Sequence, residues 1–297
     1  SGDVTLPNVS IFANGDPIGL SLGIIIGGDL TFTGTTDSIY SYGPASIIAN
    51  KISVQNSDLT IQVLQGCSGL DVQADWVLEN SNVIIDAGAD RFPFCYIAVT
   101  HGLSLSDSDV CSVTATSTSS FQISGSVSGI GEGNTRSAGV FLDDVEWQGD
   151  GTSTVTVNGE SNNKDELSAG VLVLRNVIPG NEFSSFLING AASYDSGVMS
   201  GVSGVHVEES VLVRMTILGT ASCDMCSDTV GVYMFDNFVD GCDIISELID
   251  IVIPVVSVPI AIGSHLVDSN FASCSFQSSC TFERSDAPSP ILAGIYV

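Results

Sequence analysis

Carboxylates are the side chains in this sequence that are best placed to do chemistry. Asp143 and Asp144 are adjacent, and Asp107 and Asp109 precede them by one sequence repeat. Two carboxyl groups on neighbouring strands can act as the general acid and the general base that hydrolyse a glycosidic bond. A carbohydrate-active enzyme is therefore one alternative for this chain.

The histidines do not strengthen the catalytic interpretation. His101, His206 and His265 are scattered, and no Ser-His-Asp or Cys-His arrangement can be argued from their positions. His206 and His265 are two repeats apart, which is about 10 Å in stacked strands. The favoured prediction is therefore that the chain has no catalytic residues and is not an enzyme.

A row of carboxylates recurs five residues after a repeated glycine. Its members are Asp107, Asp144, Glu209, Asp236 and Asp268, with Arg175 at the same position of one repeat. Stacked carboxylates repel one another unless they occupy turns, are solvated or are bridged by a cation with oxygen ligands. Turn chemistry is the favoured interpretation, and a weak calcium site is the alternative. We expect Arg175 to neutralise Asp144 and Glu209 in part, and we expect no other cofactor.

Eight cysteines, an even number, favour an oxidised and exported protein. Cys242 and Cys274 each lie eleven residues after a repeated glycine, so they should occupy equivalent places on adjacent coils. Adjacent coils bring Cα atoms to about 5 Å, which a disulfide can span. The sequence therefore predicts a bridge between Cys242 and Cys274.

The other six cysteines leave their pairing open. Cys223 and Cys226 form a Cys-x-x-Cys element, but no second element of this kind and no paired histidines follow at the spacing of a zinc site. A disulfide between these two residues, or one with Cys280, is favoured. Sequence alone cannot pair the remaining three, Cys67, Cys95 and Cys111.

The charge of the chain excludes several kinds of partner. Seven Lys and Arg residues against 34 Asp and Glu residues give a formal net charge of −27, which repels polyanions. We therefore expect no nucleic-acid partner and no anionic membrane. The longest apolar run, 251–263, contains Pro254 and Pro259 and is shorter than the about 20 residues of a membrane-spanning helix, so we expect no membrane insertion.

A repeated phrase defines the elements that must position these residues. A glycine followed by alternating apolar residues recurs at intervals of 27 to 37 residues, the range in which repeats indicate a solenoid. The phrase begins at Gly69, Gly102, Gly139, Gly170, Gly204, Gly231, Gly263 and Gly294. Each repeat also has a second β-branched run that ends in glycine, as in TVTVNG and FLING, and both runs alternate as half-buried strands do.

The prediction is an all-β fold, a parallel β-helix solenoid of about seven to eight coils with roughly 31 residues each. The pattern resembles the right-handed parallel β-helix of pectin-lyase-like proteins, autotransporter passengers and phage tailspikes, and the resemblance is one of architecture. It covers approximately residues 20–297. We expect one domain over 1–297, with an N-terminal extension or cap at 1–18, coils at 19–293 and a final strand at 294–297.

One outward-facing row predicts a protein interface. The second residue after each glycine should point to solvent, but from the middle of the chain it is apolar or aromatic: Phe141, Leu172, His206, Tyr233 and His265. Such a row needs cover, either from the chain's own loops or from another protein. The final phrase, Gly294, Ile295, Tyr296 and Val297, starts a coil without a cap, which favours contact with another subunit.

These features favour a structural subunit of a self-assembling extracellular filament, sheath or surface layer, whose partner is the chain itself. A secreted adhesin or tailspike-like module that binds surface glycans is the first alternative, and the carbohydrate-active enzyme is the second. We expect a secreted or cell-surface location and a signal peptide that has already been removed. Asn8 begins an Asn-Val-Ser sequon, a candidate glycosylation site.

Overall fold

The chain folds into a stack of parallel strands. The computed structural model describes residues 2–14, 22–64, 69–91, 99–129, 136–163, 167–194, 201–224, 226, 228–253, 260–285 and 291–296. Within these ranges the structure contains strands and a single turn of 3-10 helix at Gly180–Glu182. No helix of the described residues has the length and apolar character that crossing a bilayer requires.

The strands in chain order are β1 (Val4–Leu6), β2 (Ser10–Asn14), β3 (Leu22–Ile25), β4 (Asp29–Thr33), β5 (Thr36–Tyr42), β6 (Ala45–Gln55), β7 (Asp58–Leu64), β8 (Leu70–Glu79), β9 (Asn82–Arg91), β10 (Val99–Thr116), β11 (Ser120–Gly129), β12 (Arg136–Gly149), β13 (Thr154–Asn163), β14 (Leu167–Leu174), β15 (Val177–Pro179), β16 (Ser185–Tyr194), β17 (Gly201–Glu208), β18 (Val211–Val213), β19 (Thr216–Asp224), β20 (Asp228–Phe235), β21 (Phe238–Asp240), β22 (Asp243–Ile253), β23 (Ile260–Val267), β24 (Asn270–Ala272), β25 (Ser275–Ser285) and β26 (Ile291–Tyr296).

Two large parallel sheets run along the stack. The first sheet follows β1, β4, β6, β8, β10, β12, β14, β17, β20, β23 and β26, and the second follows β2, β5, β7, β9, β11, β13, β16, β19, β22 and β25. Four short strands, β15, β18, β21 and β24, pair in that order beside the first sheet. Each coil therefore contributes one strand to each large sheet, and the predicted all-β parallel solenoid is confirmed.

The predicted number of coils is not confirmed. Ten strands stack in the second sheet of the described residues, whereas the glycine phrase predicts seven or eight coils. The difference lies before Gly69, where β2, β5 and β7 stack in register without that phrase. Short loops there leave 22 to 28 residues between paired positions: Ser10 pairs with Ser38, 28 residues later, and Thr36 pairs with Asp58, 22 residues later.

The interior is formed by the apolar positions that the repeat predicts. The first and third residues after the glycine, such as Val140 and Leu142, are fully buried. Aromatic side chains fill the centre of the stack, where Trp76, Phe121 and Trp147 contact one another in sequence. The side chains of alternate residues thus form continuous columns from coil to coil, as the two-residue period of a strand requires.

Glycines allow the two large sheets to touch backbone to backbone. A Cβ atom on Gly170 would lie 2.7 Å from the carbonyl carbon of Gly190 and nearer still to the backbone nitrogen of Ala191. The same contact recurs between Gly204 and the neighbouring coils of the second sheet. No side chain fits between the sheets where glycine faces glycine along this line, which we call the glycine seam; in the last coils Ser246 and Ser278 face Gly231 and Gly263 instead.

The seam corrects one part of the sequence interpretation. The sequence predicts that runs such as TVTVNG and FLING end at their glycines, but Gly159 and Gly190 lie inside β13 and β16. They are required because the opposite backbone is too close for a Cβ atom, and not because the chain reverses there. The strands of the second sheet therefore continue past the seam.

Each coil turns at a residue in the left-handed conformation. Residues at the predicted acidic position have φ between 49° and 53°, namely Asp144, Arg175, Glu209, Asp236 and Asp268. In the later coils a buried polar residue follows the turn and bonds to the next coil. The backbone N–H of Ser210 donates to Asn237 Oδ1 at 2.8 Å, and Asn237 Nδ2 donates to the carbonyl oxygen of Val207 at 3.1 Å.

The glycine seam predicts that a methyl group added at a glycine lowers stability by an amount that depends on the position of that glycine. We expect Gly170→Ala to lower the free energy of unfolding by roughly 3 kcal/mol or more, because the added carbon overlaps backbone atoms that cannot rotate away. The control is Gly294→Ala at the same repeat position, where the nearest atoms to an added Cβ are 3.7 and 3.8 Å away. Urea unfolding followed by circular dichroism measures both, and equal stability of the two variants would contradict the seam.

Candidate functional site

The paired carboxylates of the enzyme alternative are held by an arginine. Arg175 donates from Nε to Asp144 Oδ2 at 3.0 Å and also bonds to Asp143. Burial raises the pKa of Asp143, and the charge of Arg175 opposes that rise. Arg175 therefore neutralises two carboxylates of the preceding coil, and it does not pair with Glu209 as the sequence predicted.

The acidic row behaves as a set of turn residues. Asp144, Glu209, Asp236 and Asp268 share the left-handed backbone conformation, which supports turn chemistry as the reason for their recurrence. The described residues contain no group of three or more His, Cys, Asp or Glu side chains that could hold a metal ion. Asp107 lies in β10, but its side chain is outside the described part of the structure, as is that of Asp109.

The cysteines adopt one of the predicted arrangements and not another. Cys223 and Cys226 form a disulfide with each other, as one alternative predicted. The predicted bridge between Cys242 and Cys274 is not formed, since both are free thiols. Cys280 is also free and is exposed. Cys67 and Cys95 lie outside the described residues, and of Cys111 only the backbone is described.

The geometry of stacked coils explains the missing bridge. Side chains in register on parallel strands stay about 4.8 Å apart, whereas the Cβ atoms of a disulfide approach to about 3.5–4.5 Å. Each thiol instead contacts backbone carbonyl oxygens, Cys242 that of Leu212 at 3.6 Å and Cys274 that of Val239 at 3.5 Å. Burial raises the pKa of the Cys242 thiol to about 11.

The predicted outward row is largely covered by the protein itself. Leu172 packs with Ala138 and Ala169, and Phe141 packs against the same cluster. Farther along the stack, His206 lies on Tyr233 with ring centroids 4.5 Å apart, and Tyr233 and His265 meet edge to face at 5.2 Å. Each side chain of the row therefore shields the next one, which reduces the apolar surface that remains for a partner.

The buried His206 pairs with the half-buried Glu208 beside this row. His206 Nε2 lies 2.6 Å from Glu208 Oε1, so the imidazole N–H donates to the carboxylate. This hydrogen bond lowers the pKa of Glu208, although burial of the carboxylate opposes the shift. Burial lowers the pKa of His265 and raises that of Tyr233, so both of these rings are neutral at pH 7.

A groove of about 360 Å³ runs beside this row. Ser203 and His206 lie on opposite sides of Gly204 in β17, and both line this groove. The groove is lined by Ser203, His206, Tyr233, His265 and Asp228, together with apolar side chains. It offers hydroxyl, imidazole and carboxylate groups on an otherwise apolar, concave surface.

An exposed apolar surface lies on the short strands. Val177, Val211 and Phe238 stack in register on β15, β18 and β21, and their exposures are 41%, 38% and 47%. The half-buried Pro179 and Val213 lie beside them on the same face. We call these five residues the apolar patch.

The same column is polar elsewhere in the stack. Glu146 pairs with Val177 at one end of the patch, and Asn270 pairs with Phe238 at the other end. A solvated β-face is expected to carry polar residues at such positions, so the change to apolar residues over three coils has no explanation in folding. Sequence reasoning missed the patch because it followed the glycine phrase only as far as the turn. Aligning the residue two places after each turn would have found it.

Two further predicted sites remain predictions. Asn8 is exposed, and its carboxamide oxygen accepts a hydrogen bond from the backbone N–H of Thr35 at 2.9 Å; nothing here tests its glycosylation. Ile295 and Tyr296 are exposed on β26, the last described strand of the first sheet, and beside them Gly294 is also exposed. Val297 lies outside the described residues.

The chain matches no family model, no curated protein and no solved structure. The candidates are therefore the apolar patch and the groove.

The contact between His206 and Glu208 predicts a pH dependence of stability. The pKa of Glu208 is lower in the folded chain than its ordinary value of 4.5, so its stabilisation is present above that value and is lost as the pH falls through the folded pKa. We expect Glu208→Gln to destabilise the protein at pH 6 and to differ less from the parent at pH 3. Urea unfolding at both pH values measures this, with Glu209→Gln as the control.

Glu209→Gln removes the neighbouring carboxylate but leaves the contact with His206 intact. The difference in unfolding free energy between Glu209→Gln and the parent should therefore not show the pH dependence expected for Glu208→Gln. If Glu208→Gln lowers the free energy of unfolding as much at pH 3 as at pH 6, the hydrogen bond contributes nothing that depends on pH.

Proposed function

We propose that the protein is a structural subunit of an extracellular filament, sheath or surface layer, in which copies associate along the sides of their solenoids. The observation that carries the proposal is the apolar patch, whose residues are exposed where equivalent positions in other coils are polar. Contiguous exposed apolar surface rimmed by polar residues is typical of protein interfaces. The patch lies on the side of the stack, so contact through it joins rods laterally.

The size of the patch determines what kind of assembly it supports. Three coils span about 10 Å along the stack, which is far less than the roughly 800 Å² per partner of a standard stable interface. A single contact is therefore weak, and a lasting structure draws its strength from many such contacts held at high effective concentration. This is the behaviour of a lattice or fibre subunit and not of an isolated tight dimer.

Two observations support an extracellular setting. A disulfide joins Cys223 and Cys226, and disulfides persist in oxidising compartments. The net charge of −27 keeps separate copies soluble and makes them repel at low ionic strength. We further infer that the coils wind in the right-handed sense of pectin-lyase-like proteins, because parallel strands joined by crossovers are right-handed in almost all proteins.

The proposal predicts that association depends on the patch. We expect the parent to self-associate weakly in about 150 mM salt, where the Debye length is about 8 Å and the repulsion is screened. Phe238→Asn should weaken this association about tenfold or more, because the variant no longer buries a large apolar side chain when two copies associate. Asn270 shows that this column accepts Asn. Sedimentation velocity over a concentration series measures the effect.

Phe12→Asn is the matched control, because Phe12 is exposed but lies on β2 at a distance from the patch. It should associate as the parent does. A parent that stays monomeric up to about millimolar concentration, a range in which even weak contacts become populated, would overturn the proposed function. So would a Phe238→Asn variant that associates normally.

A second candidate function is glycan binding, and the groove favours it. Tyr233, Ser203 and Asp228 offer a ring, a hydroxyl group and a carboxylate on one concave surface, which are groups that contact the rings and hydroxyls of a sugar. The net charge selects neutral or cationic glycans. We expect glycan-array binding by the parent to be lost in Tyr233→Ala and retained in Phe238→Asn. Loss in both variants, or in neither, would remove the groove as the binding site.

A further inference from the structure

The two edges of the apolar patch carry opposite charges. On β18 the patch residues lie between Glu209 on one side and Arg214 on the other, and both flanking residues are exposed. Both have a left-handed backbone, with φ of 51° and 50°. The patch is therefore electrically polar across β18, in the direction of the strands, whereas on β21 the flanking Asp236 and Asp240 are both acidic.

Arg214 differs from the other arginine near the patch. Arg175 is occupied by Asp143 and Asp144, whereas Arg214 forms no ion pair with any residue that the structure describes. Its side chain lies along the next coil, where a Cβ atom on Gly241 would be 3.0 Å from Arg214 Cγ. A cation without a partner at the edge of an apolar surface, in a chain of net charge −27, has carboxylates of another molecule as its natural ligands.

Symmetry decides which carboxylates it can meet. If two patches face each other about a two-fold axis along the stack, the rods are parallel and each edge meets the opposite edge of the other copy. Arg214 then lies beside Glu209 of the second copy. If the two-fold axis follows the strands, the rods are antiparallel and like edges meet, so Arg214 opposes Arg214 and Glu209 opposes Glu209.

We infer that the second copy binds in the parallel arrangement, with Arg214 of each molecule paired to Glu209 of the other across the apolar patch. This rests on the proposed function and specifies its contact. The arrangement also places Phe238 against Phe238 and Val211 against Val211, so the apolar residues meet at the same level of the stack. The two ion pairs fix the direction of the rods, because opposite charges across an interface set register more than affinity.

Charge reversal tests the pairing. Arg214→Glu and Glu209→Arg should each weaken self-association about tenfold or more, because each places like charges across both junctions. The double variant Glu209→Arg with Arg214→Glu should return to within about twofold of the parent, since every junction is again opposite in sign. Sedimentation equilibrium at about 150 mM salt gives the dissociation constants, and this ionic strength keeps contacting charges effective.

The chain itself shows that these substitutions fit the backbone. Arg175 occupies the turn equivalent to Glu209 with φ of 53°, and Glu209 shows that glutamate accepts the same left-handed conformation as Arg214. Lys51→Glu is the control for net charge, because it makes the same change in charge at an exposed site on β6 away from the patch. It should associate like the parent.

The outcomes separate the pairing from the proposed function. If the parent associates through Phe238 but Arg214→Glu has no effect, or if the double variant stays as weak as the single variants, the parallel pairing is overturned while lateral association stands. The antiparallel arrangement gives the first result, because like charges then face each other in the parent, in each single variant and in the double variant alike. If the parent does not associate at all, both proposals fail.

Discussion

Backbone contact between the two large sheets is the constraint from which the rest of the molecule follows. At the glycine seam the carbonyl of one sheet occupies the space that a Cβ atom of the other would need. This contact divides the interior into a main core and a second, smaller cluster that includes Ala192, Ala221 and the disulfide of Cys223.

The corners of the coils show how the stack tolerates its charge. In the later coils an acidic residue occupies four of the turns and Arg175 a fifth, while the amide or hydroxyl group after the turn bonds to the neighbouring coil. The polar ladder satisfies backbone groups that a tight turn would otherwise leave without partners. The stack tolerates repulsion among these carboxylates because they are solvated and because the hydrogen bonds of the residues after the turns hold the coils together. Arg175 relieves that repulsion in one coil only, where Asp143 and Asp144 adjoin.

Much of the fold was predictable because strand periodicity is a local property. The repeat of Gly139 and its equivalents identified the strands, the buried columns and the turns. Coils were predicted from residue 19 onward, but those before Gly69 were left out of the count of seven to eight because they stack without that glycine. The patch of Val177, Val211 and Phe238 was missed for another reason: its residues are ordinary strand formers, and only their alignment across coils shows that they face water. The predicted bridge between Cys242 and Cys274 does not form because equivalent positions on adjacent coils place the two side chains in parallel and do not bring them together.

The aromatic centre of the stack has a consequence for how the molecule can be observed. Both tryptophans of the chain, Trp76 and Trp147, are buried and are linked through Phe121. The coils from β17 onward contain no tryptophan. Each coil of a solenoid is stabilised mainly by its neighbours, so one end can open while the other stays folded. Tryptophan fluorescence excited near 295 nm therefore reports on one half of the rod. It does not report on the half that carries most of the apolar patch.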